Sequence, residues 1–405
     1  MNKSLRNKGT ALKILTISSL YPNNKDFKHG VFVETRLKHL RAEYPEIEST
    51  VIAPVPWFPF SAKCFGEYAR FAGVKDVEEI NGVTVYHPKY LVIPKLGMAL
   101  TPIFMARAIE KCLQRIIKSG QRFDVIDGHY FYPDGVAIAR VANKFKIPFT
   151  CTARGTDINL IPVIEKPKKM IQKVFKQAAH MMSVCKALKD EMVTLGADDS
   201  RVSVLRNGVD LDLFKPSNNQ EQAEKRSKLV GDKKLIISVG WLIERKGHYL
   251  VIEAMKQLTD YHLFIAGDGP DKQKLSQLVK QLNLAENITF LGALPQAELS
   301  HYYQAADALV LASSREGWAN VLLESMASGT PVVAADIWGT PEVVAAPEAG
   351  VLVKRTSDSI AAGIKQVLAN KIDRTETRQY AEKFSWKETS DKQYDIFQQI
   401  IKQNK

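Results

Sequence analysis

Cysteine is scarce. There are four in 405 residues, Cys64, Cys112, Cys151 and Cys185, and no two form a C-x-x-C pair. Such spacing argues against a zinc site and against a disulfide framework, and it fits a reducing cytoplasm. Long hydrophobic runs are lacking too. The first apolar run, "ALKILTISSLY", contains a lysine and is too short to cross a bilayer, so it reads as a buried strand rather than a leader or an anchor. No G-x-G-x-x-G follows that strand. "TISSLYPNNKDFKHG" offers only Gly30, which speaks against a dinucleotide-dependent oxidoreductase. With no helix-turn-helix, RNP or zinc-finger pattern either, nucleic acid is not an expected partner. Repeats and low-complexity tracts are also missing.

Acidic residues are in deficit, and the deficit is localised. The chain has 56 Lys and Arg against 44 Asp and Glu, a net charge of +12. Residues 1–210 hold 32 of the basic and 20 of the acidic residues, so the whole excess lies there. A basic half reads either as general solubility or as attraction to an anionic partner, a phosphorylated substrate or a lipid surface. Its densest cluster is "KPKKMIQKVFK" (166–176). A helix from about 168 puts Met170, Val174 and Phe175 near one face, with Lys168, Lys169, Lys173 and Lys176 around its edges. That pattern suits a helix lying on an anionic membrane, or one packed in its domain with solvated lysines. The aromatic loop "WFPF" (57–60) is likewise read as plain packing or as a lipid or acceptor contact.

The length exceeds one compact core, so two domains are expected. Short β-like runs alternate with helical stretches, from "KILTIS" (13–18) to "VSVL" (202–205). The rhythm restarts at "KLIISVG" (234–240) and ends at "PVVAAD" (331–336). Strand–helix alternation implies α/β architecture, with parallel sheets covered by helices. The break falls in the polar segment 214–234, which contains Pro216 and Gly231. Residues 1–213 and 214–385 then form two Rossmann-like domains, and the amphipathic stretch 386–405 packs back on a domain surface.

In such sheets ligands bind beyond the carboxyl ends of the strands, so the strand-to-helix loops carry the chemistry. "SSREGWANVLLESMASGTPVV" (313–333) holds two carboxylates, Glu316 in the loop and Glu324 on the following helix. Val321, Leu322, Leu323, Met326 and Ala327 cover most of that helix. A glutamate in such surroundings is costly unless something binds it. The stripe Glu316, Asn320, Glu324, Ser328 is either a solvated face or a row of acceptors for ligand hydroxyls. In "GWLIERKGHYL" (240–250), Arg245 and Lys246 precede a helix and can either cap a turn or bind an anion. "AGDGP" (266–270) is a second Gly-rich turn, carrying Gly269. The first half supplies "KHGVF" with Gly30, "DGHYFYPDG" with His129 and Tyr130, and "TARGTDINL" with Arg154 and Asp157.

Together these stretches resemble glycosyltransferase family 4, from "SSLYPNNKDFKHGVFVETRL" through "RNGVDLDLF" to "FSW". The most specific part is the Glu–seven residues–Glu motif within "EGWANVLLESMASGTPVV". "HYFYPDG" and "TARGTDIN" resemble bacterial members that build exopolysaccharide or lipid-linked glycans. The resemblance implies a GT-B fold, in which the two Rossmann-like domains face each other across a cleft. It implies transfer from a nucleotide sugar, such as a UDP-sugar, with retention of configuration, to a glycan or polyprenyl-linked acceptor. A catalytically silent sugar-binding protein would lose the glutamates, which are intact. Carried over, Glu316, His129, Lys246 and Arg245 would act at the reacting sugar and diphosphate. Gly30, Gly240, Gly269, Gly317, Trp318, Ala319, Asn320 and Glu324 would bind the donor, Glu324 through its ribose. Tyr130, Arg154 and Asp157 would face the acceptor. Two departures stand out. Many members carry Gly-Arg-Leu where this chain has Gly240, Trp241 and Leu242, so Arg245 is expected to replace the missing cation. Arg154 stands where many have histidine. "DLD" (210–212) has a metal-binding form, but the fold typically needs no metal, and no cofactor is expected. The enzyme is placed in the cytoplasm, at the inner face of the membrane.

Overall fold

The structure, a computed structural model, describes residues 11–57, 71–92 and 98–404. It forms two compact units. Unit 1 comprises residues 1–184, 188–205 and 387–405, and unit 2 residues 185–187 and 206–386. The change of unit falls at 205/206, a few residues ahead of the polar break, and the short piece 185–187 belongs to unit 2.

Unit 1 carries β1 (Lys13–Ile17), β2 (Glu48–Ile52), β3 (Val55–Trp57), β4 (Val77–Ile80), β5 (Val83–Tyr86), β6 (Lys89–Leu91), β7 (Val125–His129), β8 (Phe149–Ala153), β9 (His180–Ser183) and β10 (Val202–Val204). Among the described residues they form one sheet of order β10-β9-β8-β7-β1-β2-β5-β4 and a small pair, β3-β6. Every residue of β7 and β8 is buried, as expected of a parallel strand covered on both faces. β4 is the exception in direction. It pairs antiparallel with β5 across the turn Asn81-Gly82, whose φ angles are both positive. Asn-Gly is the strongest short hairpin signal, and the rhythm-based expectation passed over it. Of the aromatic loop, Trp57 is exposed, while Phe58, Pro59 and Phe60 lie outside the described residues, as does Cys64. Cys112, Cys151 and Cys185 are buried, and none of them is in a disulfide among the described residues.

Unit 2 carries β11 (Lys234–Val239), β12 (Tyr261–Ala266), β13 (Ile288–Gly292), β14 (Ala308–Leu311), β15 (Val332–Ala335) and β16 (Gly350–Val353), all parallel, in the order β13-β12-β11-β14-β15-β16. The sheet has a strand beyond "PVVAAD", formed by "GVLV" after a long connection.

Each sheet reverses its winding at one place, between β1 and β7 in unit 1 and between β11 and β14 in unit 2. Beyond the carboxyl ends of such strand pairs the loops diverge and leave a crevice. The loop after β1 carries Gly30 and β7 ends at His129; the loops after β11 and β14 carry Arg245, Lys246 and Glu316.

The helix Glu165–Gln177 resolves the two readings of the lysine cluster. Ile171, Val174 and Phe175 are buried, and Phe175 meets Phe131 edge-on, 5.3 Å between ring centres. The expected apolar face is therefore core, and cannot lie on a membrane. The lysines remain outside.

Candidate active site

In unit 2 the site is built by two loops that close on each other. Ser314 N–H donates to the Arg245 carbonyl at 2.8 Å, and the Arg245 guanidinium donates to the Arg315 carbonyl at 2.7 Å. Gly247 makes this approach feasible. Its φ is +70°, and a Cβ there would lie 2.1 Å from the Ala312 carbonyl oxygen. Glu316 sits where the loops meet. Its carboxylate accepts from Lys246 Nζ and from Ser313 Oγ, each at 2.6 Å, with an Arg245 guanidinium nitrogen at 3.6 Å. Burial would raise the Glu316 carboxyl, but the two cations outweigh it and hold it below the usual range. Arg315 precedes Glu316 directly in the chain, yet it is Lys246, 70 residues away, that pairs with it.

Past Glu316 the chain turns into the helix Asn320–Ala327. The amides of Gly317, Trp318, Ala319 and Asn320 donate to no acceptor among the described residues. Together with the helix N-terminus they are disposed to receive an anion or an oxygen-rich group. The Trp318 side chain is a packing element. Its indole N–H donates to the Asn207 carbonyl at 3.1 Å, with Arg206 over the ring. Asn320 accepts from Asn207 at 3.3 Å. Glu316 precedes the helix, so the carboxylate stripe on it begins at Asn320. Glu324, 8% exposed, accepts from Tyr303 Oη and Gln296 Nε2, both at 3.1 Å. Both donors are neutral, and burial pushes its carboxyl up to about 7. Gln296 and Tyr303 are seven residues apart on one helix, a spacing that puts both on one stripe and could have been read from sequence. Gly240 follows β11 directly and lies against the Lys246 side chain, and Gly269 lies against the Leu242 backbone. Trp241, in place of the expected arginine, is 47% exposed.

In unit 1, Gly30 caps the helix Val31–Glu43 with φ +65°, and a Cβ there would meet the Leu20 carbonyl carbon at 2.1 Å. His129 ends β7 and is fully buried. Its Nε2 lies 3.2 Å from Asp127 Oδ2, and its Nδ1 accepts from Arg154 at 2.7 Å. An acceptor at Nδ1 requires the neutral tautomer with hydrogen on Nε2. Burial lowers the imidazole to about 4, consistent with that form. Arg154, with its guanidinium 5.3 Å from the Phe32 ring, is lowered to about 9 by burial. Tyr130 follows His129 at φ +72° and is half-buried. Asp157 corrects the sequence reading. Expected at the acceptor, it is fully buried and accepts from the amides of Phe131, Arg154 and Gly155 at 2.8–3.1 Å. It fixes the loops after β7 and β8 to each other. Sequence reasoning also missed Asp127, although it stands two residues before His129 on one strand, and so on the same face.

Asp210 of "DLD" accepts from the amides of Asp212 and Leu213, closing a turn. Among the described residues, no group of three or more His, Cys, Asp or Glu converges in a way that could hold a metal.

Two parallel α/β units, each with its functional loops at a reversal point of the sheet, define the GT-B class of glycosyltransferase. The comparisons agree. Residues 33–213 match the family model described as Glycosyltransferase Family 4, and residues 219–384 the model of glycosyl transferases group 1. A putative teichuronic acid biosynthesis glycosyltransferase of Bacillus subtilis, TuaC, is 30% identical over 96% of this chain and 94% of its own. The D-inositol 3-phosphate glycosyltransferase of Mycolicibacterium smegmatis is 29% identical over 66% of this chain and 65% of its own. Among solved structures, sucrose-phosphate synthase of Thermosynechococcus elongatus superposes with a TM-score of 0.78 at 19% identity, covering 96% of this chain and 99% of that one. Anabaena HepE, solved in complex with UDP, gives 0.72 at 18% identity, covering 96% and 100%. The chain belongs to glycosyltransferase family 4, and it is a glycosyltransferase.

Proposed function

We propose that the enzyme moves a hexose from a nucleotide sugar, such as a UDP-sugar, to a glycan or polyprenyl-linked acceptor, with retention of configuration and without a metal ion. The reaction belongs to bacterial surface polysaccharide synthesis, in the cytoplasm at the inner face of the membrane. The names of the Bacillus relative and of the UDP-bound Anabaena protein support the setting and the donor class.

The observation that carries the proposal is the buried Lys246–Glu316 pair, with Arg245 beside it and unengaged amides just beyond. Expelling a nucleoside diphosphate builds charge on the leaving phosphate, and fixed cations there lower the barrier most. Donor binding would exchange partners: the diphosphate takes Lys246 and Arg245, and sugar hydroxyls donate to the freed Glu316. The buried carboxylate then trades its cationic donors for hydroxyl donors, so it keeps hydrogen bonds while the cations neutralise the diphosphate. The ribose hydroxyls would complete Glu324, whose present donors are neutral. In unit 1, both ring nitrogens of His129 are engaged, so the sugar contact implied for it follows once Arg154 turns to the substrate. Retention follows a front-face path in which the leaving phosphate helps deprotonate the acceptor.

A thermal-shift screen of UDP-, GDP- and ADP-sugars identifies the donor, because a ligand that binds only the native state stabilises it. Transfer with that donor is expected to survive EDTA. In Glu316→Gln it is expected to fall about a hundredfold or more while the fold is kept, the order of one lost charged contact. Near-normal turnover in the folded variant, or activity restored only by added magnesium or manganese, would overturn the proposal.

A further inference from the structure

Unit 1 presents an apolar tip directly after its acceptor-side loop. Leu160, Val163 and Ile164 are 38%, 83% and 47% exposed. Single exposed apolar residues are ordinary, but three within five positions need a reason. No other stretch of five described residues exposes as many large apolar side chains. The tip is ordered. Ile161–Val163 is a 3-10 turn, with Val163 N–H donating to the Leu160 carbonyl at 3.2 Å and Ile164 N–H to that of Ile161 at 3.0 Å. Exposure of these side chains is thus fixed by the backbone.

The lysine-rich helix Glu165–Gln177 follows at once. Lys166, Lys169, Lys173 and Lys176 recur at spacings of three and four, so they share one face. That face lies opposite Ile171, Val174 and Phe175, which anchor the helix in the core. All four lysines are exposed, and among the described residues only Lys169 of the four has an acidic partner, Glu165 at 3.3 Å. A cationic helix face that directly follows an exposed apolar turn in the chain is complementary to an anionic lipid surface. The ammonium groups meet headgroups, while the apolar turn enters the acyl boundary.

We infer that residues 160–176 form the membrane-docking surface of this enzyme, with Val163 and Ile164 inserting and the four lysines binding anionic headgroups. This is not the amphipathic mode suggested by the helix's own apolar residues, which are buried. The surface rests on the lipid-linked acceptor proposed above for its purpose, though not for its chemistry. Arg154 lies only six residues before Leu160, so docking there would bring the acceptor loop to the membrane.

The test is flotation of the full chain with vesicles of phosphatidylcholine alone, or of phosphatidylcholine with phosphatidylglycerol. Wild type is expected to float with the anionic vesicles only, and less as salt rises. Each lysine is worth roughly a fivefold change in partitioning, so K166Q/K169Q/K173Q/K176Q should lose roughly a hundredfold or more. V163S/I164S, which leaves the charge intact, should lose binding as well. Thermal shift by the nucleotide sugar, measured without vesicles on the same variants, should be unchanged. Loss of that shift in wild type would refute the donor reading and leave the docking result to stand alone. Equal binding to neutral vesicles, no binding, or full binding by either variant would overturn the docking surface. So would self-association through this face that V163S/I164S abolishes.

Discussion

Glu316 and Glu324 lie eight residues apart and reach opposite electrostatic states. Two cations hold the first ionised below its ordinary range, while two neutral donors leave the second near 7. The folded value of Glu324 lies above its ordinary 4.5, so the native state binds that proton more tightly than the unfolded chain. Its contribution to stability is complete below about 4.5 and is lost as pH rises through about 7. Ribose hydroxyls that donate to Glu324 require the opposite, ionised form. Nucleotide-sugar affinity is therefore expected to be level above pH 7 and to fall below it, approaching tenfold per pH unit. Glu324→Gln should remove the slope and weaken binding at high pH. Calorimetric titration of both proteins across the range decides, and a slope that survives in the variant would assign the proton to another group. The chain itself showed that Glu324 must be satisfied, because the helix around it is apolar. It could not show by what, since Tyr303 and Gln296 lie on a different helix. Likewise the Lys246–Glu316 pair joins residues whose loops meet only after β11 and β14 have paired.

At the scale of elements, what was legible follows the range of the signal. Strand positions were readable because hydrophobic runs bounded by glycine and proline are local. The β4-β5 hairpin was readable and missed, its Asn81-Gly82 turn hidden inside a weakly apolar stretch. Whether the apolar face of Glu165–Gln177 meets the domain or a membrane was not readable, since five lysines among thirteen residues suit a packed helix and a membrane helix alike. Packing of Phe175 on Phe131 decides it. Loop geometry in unit 2 rests on a position without a side chain. Gly247→Ala would place a methyl 2.1 Å from the Ala312 carbonyl oxygen at φ +70°. Neither group can yield without separating the loops after β11 and β14. We expect it to lower stability by about 1–3 kcal/mol through strain. It should also weaken nucleotide-sugar binding, although every charged group is retained. Urea unfolding with and without the donor measures both. Unchanged affinity would mean that Lys246 and Glu316 find each other without the close approach.

The whole molecule is not two beads in sequence, because the chain begins in unit 1, builds unit 2, and returns. The final helix, Trp386–Gln403, enters unit 1 from Lys387 onward. Ile396, Phe397 and Ile400 join Leu12, Ile14 and Val125 in one core. Gln393, also buried, ties the polar interior together. Its Oε1 accepts from Arg36 Nε at 2.7 Å, and its Nε2 donates to Asp127 Oδ2 at 2.9 Å. Asp127 in turn lies against His129, so the last helix supports the strand end that carries this histidine. A neutral amide suits the place. Asp127 already faces His129, and an acid here would crowd two carboxylates, whereas glutamine offers one donor and one acceptor. Gln393→Leu keeps the volume and removes both contacts, leaving the buried Arg36 and Asp127 without them. The expected cost is about 3 kcal/mol or more, because charged groups are left unsatisfied. It should fall on unit 1 alone. Hydrogen exchange read peptide by peptide is the measure: β1 and β7 should lose protection while β11 and β12 keep theirs. Equal loss in both units would mean that the returning helix stabilises the molecule as one cooperative body, and no loss would mean that Gln393 fills space only.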